Sequence, residues 1–235
     1  MTEHTMKRFE SEMTKLRDMI LGMGGLVEDS ITRCMEALLK QDMAVARKVI
    51  EADKAINALE VECDEMTRAM LVRRQPAAND LRFIIATIKI VTDLERMGDL
   101  AEGIAEATIK SQDNPLTHLS TLEALGNRVV SQVNRALDAL TRSDVQLALE
   151  VVQGDKHVDD LYHGVQREVI TYMLEDPREI SAGILASGIA KNLERIGDHA
   201  TNIAEMAIYI VKGHDIRHVD HDSAAALLKE KQTAS

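Results

Sequence analysis

The chain has few of the residues that break or decorate folds: among its 235 residues are three prolines, two phenylalanines, three tyrosines and no tryptophan. An all-β sandwich needs frequent turn residues and many aromatic and β-branched strand formers, so that class is excluded. Two cysteines, Cys34 and Cys63, are too few for a disulfide scaffold. No uncharged apolar run approaches the ~18 residues needed to span a bilayer, and no membrane insertion is expected. Basic residues are in deficit, 28 Lys and Arg against 39 Asp and Glu, for a net charge of -11 and a pI near 5.2. Nucleic acid and anionic membrane surfaces both reward clustered Lys and Arg, which leaves cations, basic peptides and other proteins as partners. The N-terminal segment, with Glu3, Lys7, Arg8, Glu10 and Glu12, lacks the apolar stretch and small-residue cleavage site of an export signal. A cytoplasmic protein is therefore expected.

Helical periodicity dominates the rest. Phe9, Met13, Leu16, Ile20, Met23 and Val27 recur at alternating steps of four and three, predicting a long amphipathic helix that ends near Lys40. Asp42 is placed to cap a second helix whose seam reads Val45, Val49, Ala52, Ile56, Leu59, Cys63, Met66 and Met70, closed by Arg74 and Pro76. A third runs from near Asp80 to about Gln112, where Asn114 and Pro115 interrupt it, and a fourth from about Leu119 to Arg142. Ser143 and Gln146 have the spacing of a capping box, so a fifth helix is expected to start there and reach about Leu174. Pro177 separates it from a sixth, about Ser181 to Lys212.

The pattern is doubled. Met35-Glu36-Ala37-Leu38-Leu39 matches Leu137-Asp138-Ala139-Leu140-Thr141, Asp42 matches Asp144 and Asp53-Lys54 matches Asp155-Lys156, all 102 residues apart. Beyond the Pro76 loop the offset becomes 99, with Leu94-Glu95-Arg96-Met97-Gly98-Asp99 matching Leu193-Glu194-Arg195-Ile196-Gly197-Asp198. The expected fold is all-α: six long helices in two pseudo-symmetric three-helix bundles, 1–114 and 115–212, followed by a polar tail, 213–235. Acidic residues outnumber basic ones by 21 to 16 up to Asn114 and by 18 to 12 beyond it, so neither half is a basic module.

Within the third helix Glu95, Asp99, Glu102 and Glu106 stack on one face, nearly opposite Leu94, Met97, Ala101, Ile104 and Thr108. A stripe opposite an apolar face is ordinarily solvated surface. Two features point elsewhere. No Lys or Arg interleaves at the stripe positions, although like charges at i,i+4 repel by roughly 0.2–0.5 kcal/mol per pair. The repeat also keeps the stripe as Glu194, Asp198 and Glu205, with Thr201 in place of Glu102. Upstream the same arc is lined by Leu81, Ile84 and Ile88, so the stripe is expected to prolong a buried surface. Clustered carboxylates without basic neighbours suit oxygen-bound cations: iron, manganese, magnesium or calcium, with zinc as a further candidate. No pair of Glu-x-x-His motifs of the di-iron oxidase kind is present, which disfavours redox catalysis.

Other features carry less. Gly22, Gly24 and Gly25 lack the Lys-Ser/Thr ending of a phosphate loop and are expected to serve close helix packing. Cys34 and Cys63 fall on buried seams, where cysteine acts as a small hydrophobe. His214, His218 and His221 with Asp215, Asp220 and Asp222 form a His/Asp-rich tail able to chelate metal adventitiously.

The doubled Leu-Glu-Arg-Met/Ile-Gly-Asp motif, together with Arg74-Gln75-Pro76 and Asp80-Leu81-Arg82, resembles the PhoU family of bacterial phosphate-signalling regulators. The resemblance extends through Met23-Gly24-Gly25-Leu26-Val27-Glu28, Glu51-Ala52-Asp53-Lys54, Asp155-Lys156 and Val211-Lys212-Gly213 to Arg217-His218-Val219, nearly the whole chain. It implies two three-helix bundles, often dimeric, with metal-binding Glu/Asp-x-x-x-Asp motifs that map onto Glu95 with Asp99 and Glu194 with Asp198. Asp93 against Asn192, and Glu102 against Thr201, break the equivalence of the two motifs. The implied role is regulatory: negative control of the phosphate regulon, linking the ATPase subunit of the phosphate ABC transporter to a sensor histidine kinase. A carboxylate-metal hydrolase or oxidase, or a purely structural helical protein, are the alternatives.

Overall fold

Each helix begins and ends where local chemistry dictates. The computed structural model describes residues 3–74, 76, 78–116 and 120–216, with side chains from Arg8 onward and that of Arg74 excepted. It contains α1 (Glu3–Lys40), α2 (Met43–Arg74), α3 (Ala78–Lys110), α4 (Ser120–Arg142), α5 (Val145–Glu175) and α6 (Ile180–Lys212), with a 3-10 turn at Pro177–Glu179 before α6. Asp42 caps α2, its Oδ1 accepting from the Ala44 and Val45 amides at 2.9 and 3.1 Å. The capping box expected at Ser143 is not formed. Ser143 takes a left-handed backbone, φ 54°, and Asp144 caps α5 by accepting from the Leu147 amide at 3.0 Å. The same geometry serves the α1–α2 loop, where Gln41 at φ 53° precedes Asp42. α6 ends on Gly213, whose φ of 74° places it in the left-handed region that glycine enters without strain.

Helices α1, α2 and α3 pack on one another as one bundle and α4, α5 and α6 as a second. At 1.5 Å per residue they run from about 35 Å for α4, with 23 residues, to about 57 Å for α1, with 38. The bundles meet along α3 against α6, with a smaller crossing of α1 against α4. That crossing is pseudo-symmetric: a Cβ on Gly24 would lie 2.9 Å from Leu137, and one on Gly126 would run into the end of Met35. Both glycines admit an aliphatic side chain from the matching position of the other repeat. Gly22 and Gly25 face open space and serve no such packing. The α3–α6 contact is polar at its centre, where Asp93 Oδ1 meets His199 Nδ1 at 2.8 Å and accepts from Asn202 Nδ2 at 3.1 Å.

One apolar core runs through both bundles, lined by Leu16, Met23, Ile31, Ile56, Ile90, Leu94, Met97, Leu125, Ile189 and Ile196. The α1 stripe from Met13 to Val27 is buried as its period requires. On α2, Ala52 is exposed and Asp53 buried, so the seam passes through Val49, Asp53 and Ile56. Of the residues upstream of the α3 stripe, Ile84 is buried while Leu81 and Ile88 stand partly in solvent. Burial pushes the Cys34 and Cys63 thiols up to about 12 and about 11, so neither is a nucleophile at neutral pH. The tail begins packed: Ile216 is buried, and the Arg82 guanidinium lies against Gly213. His218, His221, Asp220 and Asp222, and with them the Arg217-His218-Val219 segment, lie outside the described residues.

Candidate metal centres

The stripe on α3 is only partly in solvent: Glu95, Asp99 and Glu102 are half-buried beside α2, and Glu106 is exposed. Oxygens of Asp53, Asp99 and Glu102 lie within 4.8 Å of one another. Glu95 stands beside them with 16% of its side chain exposed. The motif glycine makes this approach feasible: a Cβ on Gly98 would sit 2.9 Å from Asp53 Oδ1 and 3.1 Å from Ile56. Gly197 does the same against Val158, at 3.1 Å, so the glycine of each motif holds its helix against the preceding one.

Asp53 is the deepest of these groups, 6% exposed. Its Oδ2 accepts from Asn57 Nδ2 at 2.7 Å, while Oδ1, pressed against Gly98, has no hydrogen-bond partner. A buried carboxylate oxygen without a donor is costly, and burial followed by the Asp99 charge holds the Asp53 carboxyl above its ordinary range. Burial also raises Glu95, with Asp99 as the next cause, and Glu102, with Asp53 as the next. On α2, Glu60 is raised by burial and by Asp64.

In the second bundle Asp159, Glu194 and Asp198 bring oxygens within 4.8 Å of one another. Partial desolvation, then Glu194, Asp155 and Asp159, push Asp198 up to about 6. Asp155 occupies the place of Asp53 but is fully engaged at Oδ1, accepting from Gln132 Nε2 at 3.2 Å and Thr201 Oγ1 at 2.9 Å. The exchanges between repeats offset each other. Asn57 stands where the second repeat has Asp159, and Glu102 where it has Thr201, so each cluster keeps three carboxylates within 4.8 Å of one another, with Glu95 beside the first and Asp155 near the second.

Cation-bound oxygens lie about 2.0–2.6 Å from the ion, so oxygens up to ~5 Å apart share one ion. Both clusters meet that requirement, and neither includes a histidine or cysteine. The donor set is that of a hard cation. Glu106 and Glu205 are not among the clustered residues. Glu106 turns to Lys110, 3.2 Å away, and Glu205 lies two turns beyond Asp198, about 10 Å along the helix. Arg96, at a position adjoining the stripe, reaches Glu95 at 3.4 Å and Asp99 at 3.5 Å from its exposed side. Sequence periodicity found the α3 and α6 halves of the clusters and missed Asp53, Asp155 and Asp159. The available signal was an acid on a core seam, repeated 102 residues later.

The model of the PhoU domain matches residues 20–108 and again 122–207, the two halves that carry these clusters. The chain belongs to the PhoU family. It is 44% identical over 93% of its length to a phosphate-specific transport system accessory protein PhoU homolog of Pseudomonas aeruginosa, covering 91% of that protein. It is 39% identical over 98% of its length to the accessory protein PhoU of Edwardsiella tarda, covering 95% of it. The crystal structure of PhoU from Pseudomonas aeruginosa superposes with a TM-score of 0.86 at 44% identity, covering 88% of this chain and all (100%) of that one. PhoU from Streptococcus pneumoniae, solved as a phosphate transport system regulatory protein, superposes at 0.81 with 30% identity, covering 88% and 98%. Among the described residues no helix is long and apolar enough to cross a membrane.

Proposed function

We propose that this chain is a non-enzymatic, cytoplasmic regulator of phosphate uptake, and that its two carboxylate clusters are regulatory cation sites. When phosphate is plentiful it holds the phosphate regulon in check by linking the ATPase subunit of the phosphate ABC transporter to the sensor histidine kinase. The PhoU relatives, named as accessory or regulatory proteins of phosphate transport, support the role. The observation that carries the cation sites is the buried, unpartnered Asp53 oxygen inside a carboxylate cluster whose plan is repeated in the second bundle. Iron, manganese, magnesium, calcium or zinc bound there would cancel the repulsion and clamp α2 to α3 and α5 to α6. Helices of this length offer broad faces to protein partners and to a second copy in a homodimer, and rigid faces lower the ordering cost of docking.

Deleting the gene and following an alkaline phosphatase reporter in high phosphate tests the role. The expected result is loss of repression, restored by the wild-type chain and not by D99A/D198A. Unchanged repression in the deletion strain would overturn the regulatory reading. Full restoration by D99A/D198A would remove the cations from it.

A further inference from the structure

The two clusters have the same number of carboxylates but not the same neighbours. In the second repeat Lys191 Nζ lies 2.6 Å from Glu194, a cluster residue only 13% exposed, and the same ammonium stands 5.4 Å from the centre of the Tyr162 ring. Both groups that hold it belong to this repeat. At the position matching Lys191 the first repeat has Thr92, and at the position matching Tyr162 it has Glu60. At this place one repeat therefore has an ammonium and an aromatic face to seat it, and the other has a threonine and an added acid. An arginine follows the motif glutamate in both repeats, as Arg96 and Arg195, so it does not distinguish them by sequence. In the first repeat, moreover, its contacts of 3.4 and 3.5 Å are looser than that of Lys191.

The deep oxygens differ in the same direction. Asp155 Oδ1 is committed to Gln132 and Thr201, whereas Asp53 Oδ1 has no partner. A metal entering the first cluster meets an oxygen that lacks a donor. A metal entering the second must displace an ammonium, and the nearby Asp155 oxygen is already committed to its two hydrogen bonds.

We propose that Lys191 is a tethered cation that competes with metal for the second cluster, so that the two repeats form a tight and a weak metal site. This rests on the reading of the clusters as cation sites given above. The consequence is a graded response. The first cluster fills at low metal and serves the fold, while the second fills only when metal is abundant and frees Lys191 as it does so. Ammonium release changes the charge on the α5–α6 face, a means by which metal level alters what that face presents to a partner.

Titration of the full-length, chelator-stripped chain with Mn2+, following free Mn2+ by electron paramagnetic resonance, tests this. The wild type is expected to show two affinity classes, the tight one lost in D53N and the weak one lost in D198N. In K191T the weak class should tighten about 3- to 10-fold, the scale of losing one partly exposed ion-pair competitor, with the tight class unchanged. The reciprocal graft T92K should weaken the tight class by a similar factor, and K191R should leave the weak class weak. Circular dichroism melting of K191T and T92K, both surface changes, confirms that each variant is folded. Two equal sites in the wild type, or affinities unmoved by K191T and T92K, would overturn the role of Lys191 while the cation sites stand. No Mn2+ bound by the wild type would overturn the cation reading itself and this inference with it.

Discussion

Replacing Asp53 with asparagine should raise the melting temperature of the metal-free protein at pH 7.5 while costing it most of its metal affinity. The two effects have one cause. The carboxylate is buried at the α2–α3 contact with one oxygen accepting from Asn57 and the other accepting from nothing, and its charge is repelled by Asp99. Neutralising it removes an uncompensated desolvation and a like-charge contact, about 1–2 kcal/mol in all. An amide adds a donor facing Asp99 and Glu102. For a chain of this size the expected rise is about 2–8 °C. Losing an outer partner of a metal ligand costs about 10–100-fold in affinity, so losing a ligand oxygen should cost at least ~100-fold. Asp155→Asn is the internal control. Its carboxylate accepts two side-chain hydrogen bonds, so neutralisation weakens real contacts and should give no such rise. A fall in metal-free stability for D53N, with metal binding intact, would show that Asp53 is a structural acid.

The second large effect is a dependence of stability on pH that metal reverses. Asp53, Glu95, Glu102 and Asp159 are held above their ordinary values chiefly by burial, and Asp198 rises from 3.8 to about 6. A carboxyl group whose folded-state pKa exceeds its unfolded value binds its proton more tightly when folded. Its contribution to stability is present at low pH and is lost as pH rises from the ordinary carboxylate range, ~4, through the folded value. Metal-free protein should therefore lose stability between pH 4.5 and 7, by about 1–2 kcal/mol from these groups once solvent screening of the exposed ones is allowed for. Mn2+ at ~100 times its dissociation constant adds about 2.7 kcal/mol per site at pH 7.5 and much less at pH 5, where protons compete. Thermal melts across that range with chelator or with Mn2+ check both slopes. A D53N/D198N variant should have the flatter metal-free profile, and parallel profiles would contradict the assignment.

These expectations rest on residues that the sequence revealed unevenly. Apart from the start of α1, which precedes the Phe9 stripe by six residues, helix limits were readable to within two or three residues because prolines and cap-forming acids interrupt an otherwise unbroken period. The misplaced cap is instructive: Ser143 with Gln146 matched a local pattern, but the repeat already paired Asp144 with Asp42, and the loops share the left-handed residue before the cap. Agreement between repeats outweighed the local signature. The clusters were half legible for a geometric reason. Periodicity places residues on a face of one helix and says nothing of what the neighbouring helix sets against it. Glu95, Asp99, Glu194 and Asp198 were found that way, whereas Asp53 lay on an α2 seam read through Ala52, one position away. The flanking cation was missed similarly, because the freedom of the stripe from Lys and Arg was judged on α3, and Lys191 belongs to α6.

Each bundle closes one helix pair over a carboxylate cluster, with a glycine allowing the approach, and leaves repulsion that a cation can convert into a clamp. Most of the chain's aliphatic core would hold the bundles together without it. The clusters add a dependence on metal to helices otherwise secured by Leu, Ile and Met.

The most direct measurement is anomalous X-ray diffraction from crystals of the full chain grown with Mn2+. An anomalous peak is expected enclosed by Asp53, Asp99 and Glu102 at low metal, and a second among Asp159, Glu194 and Asp198 at higher metal. Well-ordered carboxylates in both clusters with no anomalous peak at either concentration would contradict the reading of the clusters as cation sites.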